Sequence, residues 1–113
     1  MKQVIAYIKT HKIEDVSLAL HRVPGFPGMS VLDARGVGSS RDMPETGEDY
    51  SYRFRERAKL EISCPDDLVE PIISVITQSA HTGLHGDGKI YVLAVEEAVR
   101  IRTGERGAVV DGG

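Results

Sequence analysis

The sequence predicts a small α+β fold in which a strand, helix, strand unit occurs twice. Three observations carry that prediction. Short runs rich in β-branched residues lie near both ends of the chain. Two stretches place apolar side chains every three or four positions, and a polar, glycine-bearing interval separates the two halves. With 113 residues there is room for one domain, 1–113, and none for a second independent core.

The elements follow in order. Val4 to Ile8 is a continuous apolar run that suits a strand buried on both faces. After Lys12, Ile13, Val16, Leu20 and Val23 recur at helical spacing, and Glu14 and Asp15 fall where a helix start favours negative charge. Pro24, Gly25, Pro27 and Gly28 stop that helix, and Met29 to Arg35 supplies a second strand. From about 36 to 53 periodicity disappears, which in so small a domain marks a long functional or disordered loop. At Arg53, Arg55, Arg57 and Lys59 a period of two puts four cations on one face of a third strand. Their simplest reading is a solvated stripe neutralised by Glu45, Glu48 and Asp49.

Pro65, Asp66 and Asp67 open a second helix with Leu68, Ile72, Ile76 and Ala80 on one face and Gly83 as its stop. Pro71 requires either a later start or a distorted first turn. Lys89 to Val95 reads as a fourth strand. Val99, Ile101 and Thr103, alternating with Arg100, Arg102 and Gly104, read as a last short strand before a tail of about 104–113. This order is that of a ferredoxin-like βαββαβ sandwich, an antiparallel sheet with both helices on one face. Because the first and fourth strands are apolar throughout, the second sheet face should also be covered, most simply by another copy of the chain.

Composition narrows the function. Hydrophobic residues at 41% and charged residues at 27% describe a folding chain. Fourteen Lys and Arg against 17 Asp and Glu give a net charge of −3, so nothing draws the whole molecule to nucleic acid or anionic lipid, and an anion site must be local. The single cysteine, Cys64, excludes an internal disulfide and reads as a small buried residue. The apolar run near the N-terminus is too short for a signal-peptide core or a membrane span. The chain is therefore expected to be cytoplasmic, without membrane insertion.

Gly83, Gly86 and Gly88 followed by Lys89 almost spell a phosphate-binding P-loop. However, Ile90 stands where Ser or Thr is needed, and a strand follows instead of a helix. A plain helix-to-strand turn is the simpler reading of that loop alone. Clustered glycines nevertheless let backbone amides approach an anion, with Lys89 as a point charge. Arg100 and Arg102, at i and i+2 on a strand, would project forked donors to one side and favour phosphate oxygens. Together the two features point to a polyphosphate ligand. His81 and His85 read as solvated turn residues, although charge on His85 would alter the field at Gly86.

These residues carry a resemblance. PDDLVEPII, TGLHGDGKIYV and VRIRTGE, with GMSV before GVG, resemble the PII nitrogen-regulatory signalling proteins across nearly the whole chain. The resemblance implies a homotrimer that binds ATP or ADP between subunits, with magnesium as an accompanying ion. It implies no catalytic role. The long interval would be a T-loop that docks on a partner protein, a membrane transporter or metabolic enzyme, through residues such as Arg41, Glu45, Tyr50 and Tyr52. Tyr50 matches a loop tyrosine that some relatives carry uridylylated. Gly36 and Gly38 match glycines beside the nucleotide, and Ser30 stands where a threonine lies near the adenine. Gly86, Asp87, Gly88 and Lys89 match the phosphate loop, Arg100 and Arg102 match the phosphate arginines, and Ser39 and Ser63 join the same nucleotide-binding set.

The departures carry information too. The loop is about two residues shorter than the family pattern, and Ser39 and Ser40 replace an Arg-Gln pair. Arg57 replaces the lysine that grips 2-oxoglutarate. Nucleotide binding is expected to persist while 2-oxoglutarate sensing, through Ser40 and Arg57, is weak or absent. The alternatives are a metal- or anion-responsive accessory trimer beside a transporter, using His81, His85 and Cys64, and a weak ATP-hydrolysing enzyme with Asp87 as base.

Overall fold

The structure, a computed structural model, describes residues 1–38 and 54–107. Six principal elements run in chain order: β1 (Lys2–Lys9), α1 (Ile13–His21), β2 (Ser30–Gly36), β3 (Arg55–Cys64), α2 (Val69–Ala80) and β4 (Lys89–Ala94). Short 3-10 turns at Thr10–Lys12 and Asp66–Leu68 lead into the two helices. The strands form one antiparallel sheet in the order β2-β3-β1-β4, the ferredoxin-like arrangement that the sequence predicts.

Register decides which side chains reach the core. Val4 opposes Ile62, Ala6 opposes Leu60 and Ile8 opposes Ala58, and all six are buried beneath the helices. Val16 and Leu20 of α1 and Ile72, Ile76 and Ala80 of α2 close the core from above, with Cys64 fully enclosed at the end of β3. Burying one aliphatic side chain of this kind contributes about 1.5–3 kcal/mol, so the helical periodicities dominate the packing.

The opposite face of β1 is uncovered in the single chain, as a face expected to be covered by another copy would be. Ile5 and Tyr7 are only half-buried within the single chain, and their neighbours Tyr91 and Leu93 on β4 are exposed, as is Leu32 on β2. One face of the sheet is thus a finished core and the other an open surface of mixed polarity.

Pro71 is accommodated by the later start. The 3-10 turn carries Asp66–Leu68, and α2 begins at Val69, so Pro71 falls in the first helical turn, where a backbone N–H has no intrahelical acceptor anyway. The helix ends at Ala80 with His81 already extended, ahead of the expected stop at Gly83.

The last strand is not formed. Residues 101–103 make a turn, and Val99 bridges only to Arg106. The Arg100 amide donates to the Glu105 carbonyl at 2.8 Å, and the Gly104 amide to the Arg100 carbonyl at 2.7 Å. Gly104, with φ +74°, provides the left-handed step that folds the chain back. Arg100 therefore starts a tight turn and Arg102 lies within it, instead of the two sharing a strand face.

Candidate functional site

The site is built where the ends of β2, β3 and β1 meet the segment between α2 and β4. A cleft of about 590 Å³ there is lined by Gly36, Val37 and Gly38 on one side and by residues 85–89 on the other, with Tyr7 and Tyr91 on its floor. Among the described residues, Arg35, Arg55, Arg57 and Lys89 line it against one carboxylate, that of Asp87. In a chain of net charge −3 this is the local concentration of positive charge that an anion site requires.

Backbone geometry explains the glycines. At Gly88 φ is +112°, and a Cβ would lie 1.7 Å from the Tyr7 carbonyl oxygen, so the loop lies directly against β1. At Gly86 φ is +85°, and a Cβ would meet the Arg57 guanidinium at 2.8 Å. At Gly88 the obstacle is backbone and only glycine fits, whereas at Gly86 the guanidinium can swing aside and the positive φ is what favours glycine.

The Asp87 side chain is engaged within its own loop. Its carboxylate accepts the amides of Thr82 at 2.8 Å and Gly83 at 3.0 Å, together with the Thr82 hydroxyl. Lys9 Nζ lies 3.3 Å from it and His81 Nδ1 3.6 Å. The Thr82 hydroxyl and amide hold the Asp87 carboxyl far below the usual carboxylate range against an opposing desolvation, and Gly83 and Lys9 add smaller contributions in the same direction as Thr82. The group is an anchor for the loop, and its acceptor capacity is taken up internally. That arrangement is poor for a general base, which needs a pKa near the working pH.

The sequence-predicted residues divide into two groups. Gly36, Gly38, Arg57, Gly86, Asp87, Gly88 and Lys89 are brought together in the cleft. Ser30, Ser63, Arg100 and Arg102 do not line it. Ser30 begins β2, six residues and roughly 20 Å of extended chain from Gly36. Its partner in the register is Glu61, on the same open sheet face as Ser63. Arg100 Nη1 is paired with Glu105 at 3.0 Å. Ser39, Ser40, Arg41, Glu45, Tyr50 and Tyr52 lie outside the described residues, as do Arg53 and the acids expected to neutralise the cationic stripe. Sequence reasoning missed Arg35 as a lining residue and read Arg55 only as part of a solvated stripe. The available signals were the adjacency of Arg35 to Gly36 and the two-residue spacing of Arg55 from Arg57.

Among the described residues no group of three or more His, Cys, Asp or Glu is placed to hold a metal ion, and Cys64 is buried in the core away from solvent. Among the same residues no helix is long and apolar enough to cross a membrane.

A two-layer α+β domain of four antiparallel strands and two helices, with a glycine-built loop facing a cationic cleft, is by class a small ferredoxin-like domain. Comparison with known proteins makes the assignment specific. The family model described as Nitrogen regulatory protein P-II matches residues 1–105, and the chain belongs to that family. It is 47% identical over 109 residues to the nitrogen regulatory protein P-II of Azospirillum brasilense, covering 95% of this chain and 96% of that protein. It is 46% identical over 109 residues to the P-II protein of Rhodospirillum rubrum, with the same coverage. Against nitrogen regulatory protein P-II 1 of Escherichia coli strain K12 the identity is 42% over 107 residues, covering 93% of this chain and 95% of that one. The relatives are named as regulators, and the chain is accordingly a signal-transduction protein by family.

Proposed function

We propose that this protein binds ATP or ADP in clefts between the subunits of a homotrimer. Through the interval of residues 36–53 it then regulates a cytoplasmic or membrane-bound partner, a metabolic enzyme or transporter. The observation that carries this reading is the cleft itself: Gly36 and Gly38, at the base of the long interval, face Gly86 to Lys89 across a cationic lining. A polyphosphate seated there would touch both segments, so its charge and length could favour one arrangement of the interval over another.

The open sheet face supports assembly. Leu32, Tyr91 and Leu93 are 42–50% exposed in the single chain, and association would bury them. Ser30, Ser63, Arg100 and Arg102, which the single chain leaves away from the cleft, would then complete a neighbour's site. A magnesium ion would take its oxygens chiefly from the phosphates, because the described part of the cleft offers only the already engaged Asp87. Turnover of ATP is disfavoured for the same reason. With Ser39 and Ser40 in place of an Arg-Gln pair and Arg57 in place of lysine, 2-oxoglutarate would have little effect on ATP affinity.

Calorimetric titration with ATP, ADP and AMP, with and without magnesium and 2-oxoglutarate, tests the reading. Binding should be weakened about a hundredfold or more in the Arg100→Ala, Arg102→Ala double variant, each charged contact contributing about 1.5–3 kcal/mol. Absence of nucleotide binding in the natural protein would end this proposal.

A further inference from the structure

We propose that Lys9, at the end of β1, is a positioning residue for ligand binding: it holds the 82–88 loop through Thr82 and Asp87 in the shape that presents Gly86 to Lys89 to the cleft. The inference rests on the nucleotide reading of that cleft and adds to it a residue that does not line it.

The geometry is a closed set of bonds across the fold. Lys9 Nζ donates to the Thr82 hydroxyl oxygen at 3.1 Å, joining residues 73 positions apart in sequence, and lies 3.3 Å from the Asp87 carboxylate. The Thr82 hydroxyl oxygen also accepts the Leu84 amide at 3.1 Å, while its own proton goes to Asp87. Asp87 in turn accepts the amides of Thr82 and Gly83. The amides of residues 82, 83 and 84 are all consumed inside the loop, which leaves the segment from Gly86 onward to face the cleft. The Lys9 ammonium is only 16% exposed at the side chain, and its aliphatic stem passes under Gly86, where a Cβ would be 3.8 Å from Cε. Lys9 is therefore held under the loop rather than extended into solvent, and its charge is already matched by Asp87.

The loop contains three glycines with positive φ, at 83, 86 and 88, and such a chain has many alternative conformations unless it is tied. Affinity for a ligand that needs one of them falls in proportion to the fraction in the competent state. Removing the lysine leaves Asp87 and Thr82 bonded to each other but without their side-chain tie to β1, and removing the Thr82 hydroxyl deletes its bonds to Lys9, Asp87 and the Leu84 amide, leaving Lys9 only its pair with Asp87.

The experiment is ATP titration of the purified full chain alongside Lys9→Met, Thr82→Val, Thr82→Ser and the Lys9→Met, Thr82→Val double variant. Amide hydrogen exchange over residues 82–88 is followed in each without ligand. Lys9→Met and Thr82→Val should each raise the ATP Kd about tenfold and speed loop exchange, and the double variant should be little worse than either, because one linked set is being broken. Thr82→Ser, which keeps the hydroxyl, should bind within twofold of the natural protein. The positioning role is overturned if Lys9→Met and Thr82→Val bind ATP as the natural protein does. It is also overturned if Lys9→Met alone loses affinity and regains it at high salt, since Lys9 would then act as a through-space charge on the phosphates. Should Lys9→Met fail to fold, the Thr82→Val and Thr82→Ser pair decides. Should the natural protein take up no ATP, the nucleotide reading falls, and the exchange rates alone decide whether Lys9 orders the loop.

Discussion

Replacing Gly88 by alanine tests the closest backbone approach at any of the described glycines. The new Cβ would sit 1.7 Å from the Tyr7 carbonyl oxygen and 2.8 Å from its carbonyl carbon, whereas real Cβ atoms essentially never come within 3.0 Å of such neighbours. Neither atom belongs to a flexible side chain, so the loop and β1 must part by more than an ångström. That separation strikes the Tyr7 and Lys89 pair, which ends the ladder between β1 and β4. Holding a non-glycine residue at φ +112° adds about 1 kcal/mol, and the packing and hydrogen bonding lost where the loop parts from β1 about another 2 kcal/mol. A total near 3 kcal/mol is expected. Gly28→Ala is the internal comparison: its φ is +101°, but nothing lies within 4 Å of the added atom, so only the conformational cost of about 1 kcal/mol applies. At roughly 4 °C per kcal/mol, thermal unfolding at equal protein concentration should drop by about 12 °C for Gly88→Ala and about 4 °C for Gly28→Ala. Equal drops in the two variants would refute the argument that contact with β1, rather than φ alone, requires glycine at 88.

Two further outcomes follow from the same geometry. The Asp87 carboxyl is held below its ordinary value of 3.8, so the stabilisation it gives is complete above that pH and is lost as the pH falls toward the folded-state value. Urea midpoints of the natural protein and Asp87→Asn should therefore differ by the same amount at pH 7 and pH 5 and converge below about 3.8; a gap that grows on acidification would contradict the assignment of Asp87 as the loop anchor. Leu93→Glu places a carboxylate on the open sheet face, where Leu93 is 47% exposed and pairs with Gln3. Sedimentation should then show monomer where the natural chain sediments as a trimer, and an unchanged assembly would mean that this face is not the subunit contact.

The order of elements was legible because each carries its own pattern: a continuous apolar run in β1, a period of two in β3, and spacings of three to four in α1 and α2. The glycine loop and the glycines at the base of the long interval were legible as residue types, and the structure brings them together as one cleft. The final strand was not legible. Five residues of alternation at 99–103 resemble a strand, but Thr103 and Gly104 are turn residues, and the pairing of Arg100 with Glu105 and of Val99 with Arg106 closes a turn instead. Asp87 between two glycines gave no sign of being a brace, because its partners are amides whose direction depends on the loop conformation. Lys9 was invisible for a different reason: its hydroxyl partner is 73 positions away, and no local pattern records that contact.

The sheet register has one mechanical consequence. β1 supports β3 only as far as the Lys9 and Arg57 pair, whereas β2 and β3 remain paired through Arg35 with Glu56 and Gly36 with Arg55. The last two pairs of that ribbon are a cantilever: two strands bound to each other and clamped at a root where Lys9 and Arg57 lie side by side. A cantilever is stiff along its length and compliant across it, so a small force applied at the root reappears as angular displacement farther out. The cleft lies at that root.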